Sequence, residues 1–260
     1  MKTTSFLLLL TLFLTSSILA DTPQQEGYRI YEEMDRRDQG FWDVISNQEM
    51  ILRNKHGQES RRVLRMMILE GQEDGDKMLI VFEKPMDIKG TALLTHGHIK
   101  RDDDQWLYLP ALGRVKRISG ASKAGSFIGS EFSFEDLGTQ EIEDYSYLLL
   151  SKEEYQEEEM FLVERIPVDK KSGYSRQVTW IDQNEYRLHK VDFYDRKKVL
   201  LKTLTISGYK RYLDRYWRPD SFLMVNHQTG KSTQIDVSDY KFQTGLKEND
   251  FTKNRLKRIR

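Results

Sequence analysis

The sequence has no cysteine, only five prolines and no net charge, with 41 Lys+Arg against 41 Asp+Glu. Without cysteine there is no disulfide framework, no thiol redox chemistry, no zinc–thiolate site and no lipid-modified Cys to anchor an N-terminus. The balanced charge gives no global field to draw in nucleic acid or an acidic membrane. Beyond the N-terminus no apolar run approaches the roughly 20 residues needed to span a bilayer.

What is present begins with an export signal over residues 1–20. Lys2 supplies its positive start, Phe6–Leu14 a short apolar run, and Ile18-Leu19-Ala20 a small residue at the expected cut before Asp21. Cleavage removes one Lys and no acid, so 41 against 41 becomes 40 against 41. The expected product is exported and unanchored, one domain over residues 21–260 with no Pro- or Ser-rich linker and no internal repeat. Its C-terminus is basic (Lys253, Arg255, Lys257, Arg258, Arg260), as a solvated tail would be or, less simply, a docking element for an acidic partner.

Gly27–Asp38 reads as a short amphipathic helix, with Tyr28, Tyr31 and Met34 at helical spacing and Gly40 ending it. From Met50 the period becomes two. Strand patterns cover Arg62–Glu70, Met78–Glu83, Gln105–Leu109, Met160–Ile166, Ser175–Ile181, Tyr186–Tyr194, Val199–Ser207, Ser221–His227 and Thr233–Phe242. Turn residues separate them: Asn54–Gly57, Asp74-Gly75, Lys171–Gly173, Asp182–Asn184 and Gln228–Gly230. Short turns imply antiparallel neighbours, so the expectation is a mainly β meander of roughly ten or eleven strands. Gly120–Leu137, with three glycines and Phe127, Phe132 and Phe134, reads as a mobile aromatic loop followed by a short helix.

Catalytic motifs are missing. In Gly125-Ser126-Phe127-Ile128-Gly129 the serine is misplaced for a nucleophile elbow, and no phosphate-binding loop or H-E-x-x-H occurs. His96 and His98 ahead of Asp102, Asp103 and Asp104 are the best metal candidate; an exposed hairpin end is the alternative, and the more common one. Glu153, Glu154 and Glu157–Glu159 read as a solvated loop, because the glycine and spacing of a calcium loop are absent. A carboxylate pair for glycoside hydrolysis is a matter of spatial separation that sequence does not reveal.

The run Val81-Phe82-Glu83-Lys84-Pro85, then Asp87–Leu94, Trp106–Ile118, Phe127–Phe132 and Phe134–Leu137 resembles the outer-membrane lipoprotein-sorting protein-like family, distant relatives of the periplasmic LolA and LolB carriers. The similarity continues through Ser172–Ser175, Phe193–Asp195 and Asn226–Thr233 to Asp250-Phe251-Thr252. It implies a single strongly curved antiparallel sheet forming an incomplete β-barrel, with a few helices across the open side and an apolar cavity beneath them. It also implies a periplasmic location, carriage of lipid or lipoprotein acyl chains without catalysis or cofactor, and an inner-membrane exporter of the RND/MMPL type as partner. A non-transport binding module is the runner-up and a secreted hydrolase a distant third.

Two departures from the sorting carriers stand out. A latch position before the matching proline is Lys84 instead of Arg, a point charge without the planar fork. Residues 111–134 are more elaborate than the carriers' equivalent, so a free lipid, a hopanoid-like molecule or a glycolipid fits as well as a lipoprotein. Trp106, Tyr108, Phe127, Phe132 and Phe134 are the expected cavity or lid residues, with ordinary core packing as the alternative. Met66, Met67, Met78 and Met86 are candidates for an adaptable apolar surface.

Overall fold

The computed structural model describes residues 21–258; the expected signal at residues 1–20 and Arg260 lie outside the described residues. Helix α1 spans Pro23–Asp38. Thr22 caps it, accepting from the Gln25 amide while the Gln25 side chain returns the bond, and Pro23 occupies the first turn, where its missing N–H costs nothing. The helix thus starts four residues before the expected Gly27. Its buried face also differs: Gly27, Ile30 and Tyr31 point inward and Tyr28 is exposed. The contact is set by Gly27, whose Cα rests on the backbone of Leu148 and Leu149.

Fifteen strands follow: β1 (Asp43–Arg53), β2 (Glu59–Leu69), β3 (Lys77–Lys84), β4 (Ala92–His96), β5 (Asp104–Leu109), β6 (Arg114–Ile118), β7 (Tyr145–Tyr155), β8 (Glu158–Pro167), β9 (Tyr174–Asp182), β10 (Leu188–Asp195), β11 (Leu200–Ser207), β12 (Lys210–Tyr212), β13 (Tyr216–Arg218), β14 (Ser221–Asn226) and β15 (Ser232–Phe242). All nine expected strand patterns are there. The additional ones are β1, β4, β6, β7 and the small ribbon β12–β13. The acidic stretch is not a loop: Glu153 and Glu154 end β7, Glu158 and Glu159 begin β8, and Gln156-Glu157, both at positive φ, make a two-residue hairpin turn.

Thirteen strands form one antiparallel sheet in the order β6-β5-β4-β3-β2-β1-β15-β14-β11-β10-β9-β8-β7. The chain starts mid-sheet, walks to one edge at β6, crosses to the other edge at β7 and walks back until β15 pairs β1, as in Met50 opposite Ile235. The sheet is open, because β6 and β7 are its two edges.

Alternation assigns side chains to faces. On one face Met50, Leu64, Ile80, Phe82, Leu93 and Leu107 from the first half of the sheet share a core with Val191, Phe193, Met224 and Ile235 from the second. On the other face Leu79, Val81, Ala92 and Leu94 are covered by Phe251 and Leu256, contributed by a 3-10 turn at Glu248–Phe251 and helix α2 (Lys253–Leu256). The basic tail therefore begins as a packed element. A third cluster holds α1 to the sheet through Ile30, Tyr31, Tyr147, Val163 and Ile181.

A Cβ at Gly27 would lie 2.9 Å from the Leu149 nitrogen and 3.1 Å from the Leu148 carbonyl carbon. Backbone does not yield as a side-chain tip does, so G27A is expected to lift α1 from β7 and lower stability by about 1–3 kcal/mol. Urea denaturation checks this, and an unchanged midpoint would show that the helix is not seated through this residue.

Candidate functional site

The segment between the edge strands, residues 119–144, does not stay at the edge. It turns into the large core. Gly120–Ser122 and Glu135–Leu137 are single 3-10 turns, so the expected short helix is one turn long. Between them residues 126–133 fold back on themselves, with the Phe127 amide donating to the Phe132 carbonyl and one bridge joining Ser126 and Ser133. This plug carries Phe127, Phe132 and Phe134, all buried among the strand side chains. Phe127 stacks obliquely on Phe82 at 5.6 Å and edge-on to Phe134 at 5.8 Å.

The plug has no strand ladder to the sheet, and side chains fasten it instead. Arg62 of β2 donates to the Ile128 carbonyl. Lys202 of β11, almost fully buried, donates to the Glu131 carbonyl at 2.9 Å and to the Asp136 carboxylate. Asn226 of β14 donates to Glu131 at 2.7 Å, and Thr233 of β15 accepts from the Glu131 amide at 2.9 Å. Tyr174 of β9 donates to Asp136 at 2.7 Å; burial, reinforced by that carboxylate, pushes its hydroxyl well above the usual phenol range, so it remains a donor. Gln105 of β5 donates to the carbonyls of Phe134 and Leu137 at 3.0 and 3.2 Å. A cavity of about 190 Å³ remains beside the plug, walled by Phe132, Ser133, Tyr174, Leu201, Lys202 and Asn226.

The expected site residues separate. Phe127, Phe132 and Phe134 share the plug. Trp106 and Tyr108 sit on the opposite face of β5, packed toward the cluster of Phe251 and Leu256, with Lys253 over the indole at 5.0 Å. Leu107 is the β5 residue that faces the plug. Lys84 is exposed at the end of β3, and its side chain has no hydrogen-bond or ion-pair partner among the described residues; Arg62 on the neighbouring strand is the side chain that donates to the Ile128 carbonyl. Of the methionines, Met66 and Met78 pack with the plug's core, Met67 lies on the other face and Met86 is exposed.

Sequence reasoning missed the anchors. Lys202 carried a signal of its own, having the same strand parity as the buried Ile206, a lone cation in phase with an apolar face, while Tyr174, Asn226 and Thr233 lay in the runs that carry the family resemblance without being singled out.

The histidine motif resolves as a hairpin end. Burial lowers the pKa of His96, whose ring meets the Phe251 carbonyl at 2.7 Å, while His98 contacts Asp74 at 2.5 Å and Asp104 at 3.4 Å. Asp103 accepts from Thr139, and Asp104 pairs with Arg101 and Arg117. Glu158, Asp182 and His189 do converge within 4.8 Å, but Asp182 already accepts from the Arg187 guanidinium and three backbone amides. A guanidinium holds the place a cation would need.

A second concavity of about 810 Å³ opens beside α1, between Met34, Ile142, Leu188, Tyr209, Trp217 and Phe222. Arginines 36, 37, 187, 211, 215 and 218 rim it. A third, about 700 Å³, is acidic and lies between the end of α1, the β2–β3 connection and residues 141–143.

Comparison with known proteins places this architecture. A family model described as an uncharacterized protein matches residues 74–258. The crystal structure of an outer membrane lipoprotein-sorting protein domain from Vibrio parahaemolyticus is 53% identical, covers 90% of this chain and 99% of its own, and superposes with a TM-score of 0.88. The chain belongs to the outer-membrane lipoprotein-sorting protein-like family. A DUF1329 family protein from Desulfovibrio piger is 32% identical over 91% of this chain and all of its own, with a TM-score of 0.85. A LolA superfamily protein from Nitrosomonas europaea shares the fold at 22% identity and a TM-score of 0.70, over 91% of this chain and 100% of its own. No curated protein matches the chain. The family's large antiparallel sheet with few helices is the one described above.

Two measurements follow from these side chains. Lys202 and Asp136 are 4% and 6% exposed, so K202M strands a buried carboxylate and should cost about 3 kcal/mol in urea denaturation. Adding D136N should recover part of that loss; an unaffected single variant would mean that the pair does not hold the plug. At the acidic concavity, burial and neighbouring carboxylates raise Glu141 to about 7, and burial raises Asp76 to about 6; Asp144, close to Glu141 in sequence, is raised to about 6 by its own burial. The folded state therefore holds protons that the unfolded chain releases above its ordinary carboxylate pKa. Their contribution is complete below about pH 4 and fades as pH rises through 6 to 7. Stability should fall between pH 5 and 7.5, less steeply in E141Q, and an identical slope in that variant would count against the assignment.

Proposed function

We propose that the protein is a periplasmic carrier of lipid or lipoprotein acyl chains, one domain over residues 21–260 acting without catalysis. In this reading the sheet is curled into an incomplete barrel and an acyl chain takes the space the plug now fills. Support for the curl comes from the plug's anchors. Gln105 on β5 and Tyr174 on β9 are nine strand intervals apart in the sheet order, roughly 43 Å if it were flat. Yet they bind plug residues 134 and 136, which two links of chain keep within roughly 7 Å.

The carrying observation is the composition of that interior. Side chains from both halves of the sheet make one apolar surface, and a loop fills it, held by hydrogen bonds at its margin. Three phenyl rings on a segment without a ladder occupy the volume that hydrocarbon would, and a cover of this kind can exchange with a ligand at modest cost. The names of the Vibrio and Nitrosomonas relatives point the same way. A partner exporter of the RND/MMPL type rests on the family resemblance.

Native mass spectrometry of protein taken from its own periplasm, with organic extraction, should find bound lipid. Arg62 offers a sharper measurement. R62M removes one charged hydrogen bond to the plug, about 1.5 kcal/mol, and should tighten binding of a fluorescent fatty acid about tenfold by favouring the open state. Unchanged affinity in a folded variant would separate the plug from ligand binding. No bound or loadable lipid at all would favour a scaffold module.

A further inference from the structure

The absence of net charge conceals a cluster of basic turns at one end of the sheet. In the sheet order, β2-β1, β15-β14, β11-β10 and β9-β8 are successive hairpins, so their four turns project side by side from one end. Contacts confirm that they adjoin. Gly230 approaches Lys55, Gln228 donates to Asp195 at 2.9 Å, and Arg196 donates to the carbonyls of Lys171 and Ser172 at 2.7 and 2.9 Å.

Those turns are basic. Lys55 stands in the first, Lys231 in the second, Arg196, Lys197 and Lys198 in the third, and Lys170 and Lys171 in the fourth. All seven are exposed, and none has a carboxylate partner among the described residues. The acids of these four turns are engaged: Asp195 accepts from the amides of its own turn, and Asp169 pairs with Lys123. Between the lysines stand apolar tips, Val168 at 63% and Val199 at 53% exposure. The next two hairpins on the same end add Met86, 80% exposed, and Leu112, 63%. The opposite end is mixed: it carries the acidic β2–β3 connection and the glutamates of the β7–β8 turn, but also the arginines that rim the concavity beside α1.

We propose that this end of the sheet docks on an anionic lipid bilayer. Adjacent turns are roughly 10 Å apart, so the four span roughly 30 Å, enough to meet several head groups. Unpaired lysines beside exposed aliphatic tips match the head-group layer, where charge attracts and short apolar side chains insert. A protein partner fits less well, since lysine is depleted from protein–protein interfaces. The surface does not depend on the carrier reading, because none of its seven basic residues belongs to the interior.

The test is co-sedimentation of the whole mature chain with phosphatidylcholine vesicles, with and without phosphatidylglycerol. Binding is expected only with the anionic lipid and should weaken steeply as salt rises. Charge reversal in K170E/K171E/K197E/K198E should reduce partitioning at least about a hundredfold, while R211E/R215E, exposed at the other end, should leave it unchanged. Circular dichroism establishes that each variant is folded. Equal binding to neutral vesicles, a fourfold variant that binds like the parent, or equal losses from both variants would overturn the proposal. So would capture of soluble polyglutamate without vesicle binding. Fatty-acid uptake measured without vesicles reports on the interior separately, so either idea can fail alone.

Discussion

Between β6 and β7 the sheet has no hydrogen-bonded pair, and every feature of the interior depends on that gap. Successive strands elsewhere are joined by hairpins or short connections, but here the chain must travel from one edge of the sheet to the other. Residues 119–144 make the crossing, and with apolar strand faces to cover they pass through the core. An edge strand presents unpaired backbone groups and invites association. A plug that ties β4, β5 and β2 on one side to β15, β11 and β9 on the other limits that liability without closing the sheet.

That arrangement requires polar groups in an apolar place. The plug's carbonyls and amides have no ladder to join, and each left bare would cost about 1–3 kcal/mol. Arg62, Lys202, Thr233 and Gln105 serve several of them instead, Tyr174 and Asn226 hold the plug's Asp136 and Glu131 carboxylates, and the Lys202 cation meets Asp136 as well as the faces of Tyr174 and Phe193. Such a network discriminates: the plug fits in one register, because a shift of a single residue would unpair several buried groups together. Most of the anchors stand within a few residues of the hairpin end of their strands, so displacement of the plug would return them to water there instead of leaving them buried. This makes reversible displacement physically reasonable for a segment so well satisfied.

How much of this was legible follows the same physics. Strands with one wet face show alternation, and each such pattern became a strand. β4 was hidden because its five residues are buried on both faces, β6 because Arg114–Ile118 is a short basic edge, and β7 because Tyr145–Tyr155 mixes an apolar start with a charged end. Parity shows that Trp106 and Tyr108 share a face and that Leu107 takes the other. It does not show which face the plug will meet, since that is decided by where residues 119–144 and 246–256 pack. The three phenylalanines were legible as a group because they lie close together on a glycine-bearing segment. Their anchors come from six strands scattered between positions 62 and 233, and no local pattern gathers them.

The basic end has the same topological origin. In a meander, connections alternate between ends, so turns distant in sequence gather at one end, and the basic residues of four of them make a local basic surface while the formal charge of the chain stays at zero. Arg62, Lys202, Asn226 and Thr233 hold the plug near the basic end. A surface that attracts the rim therefore also faces the plug, and does so before any chemistry-specific contact is made. The exposed basic turns and the hydrogen bonds that hold the plug are thus built at one end of one sheet, and both follow from the order in which the meander places its strands.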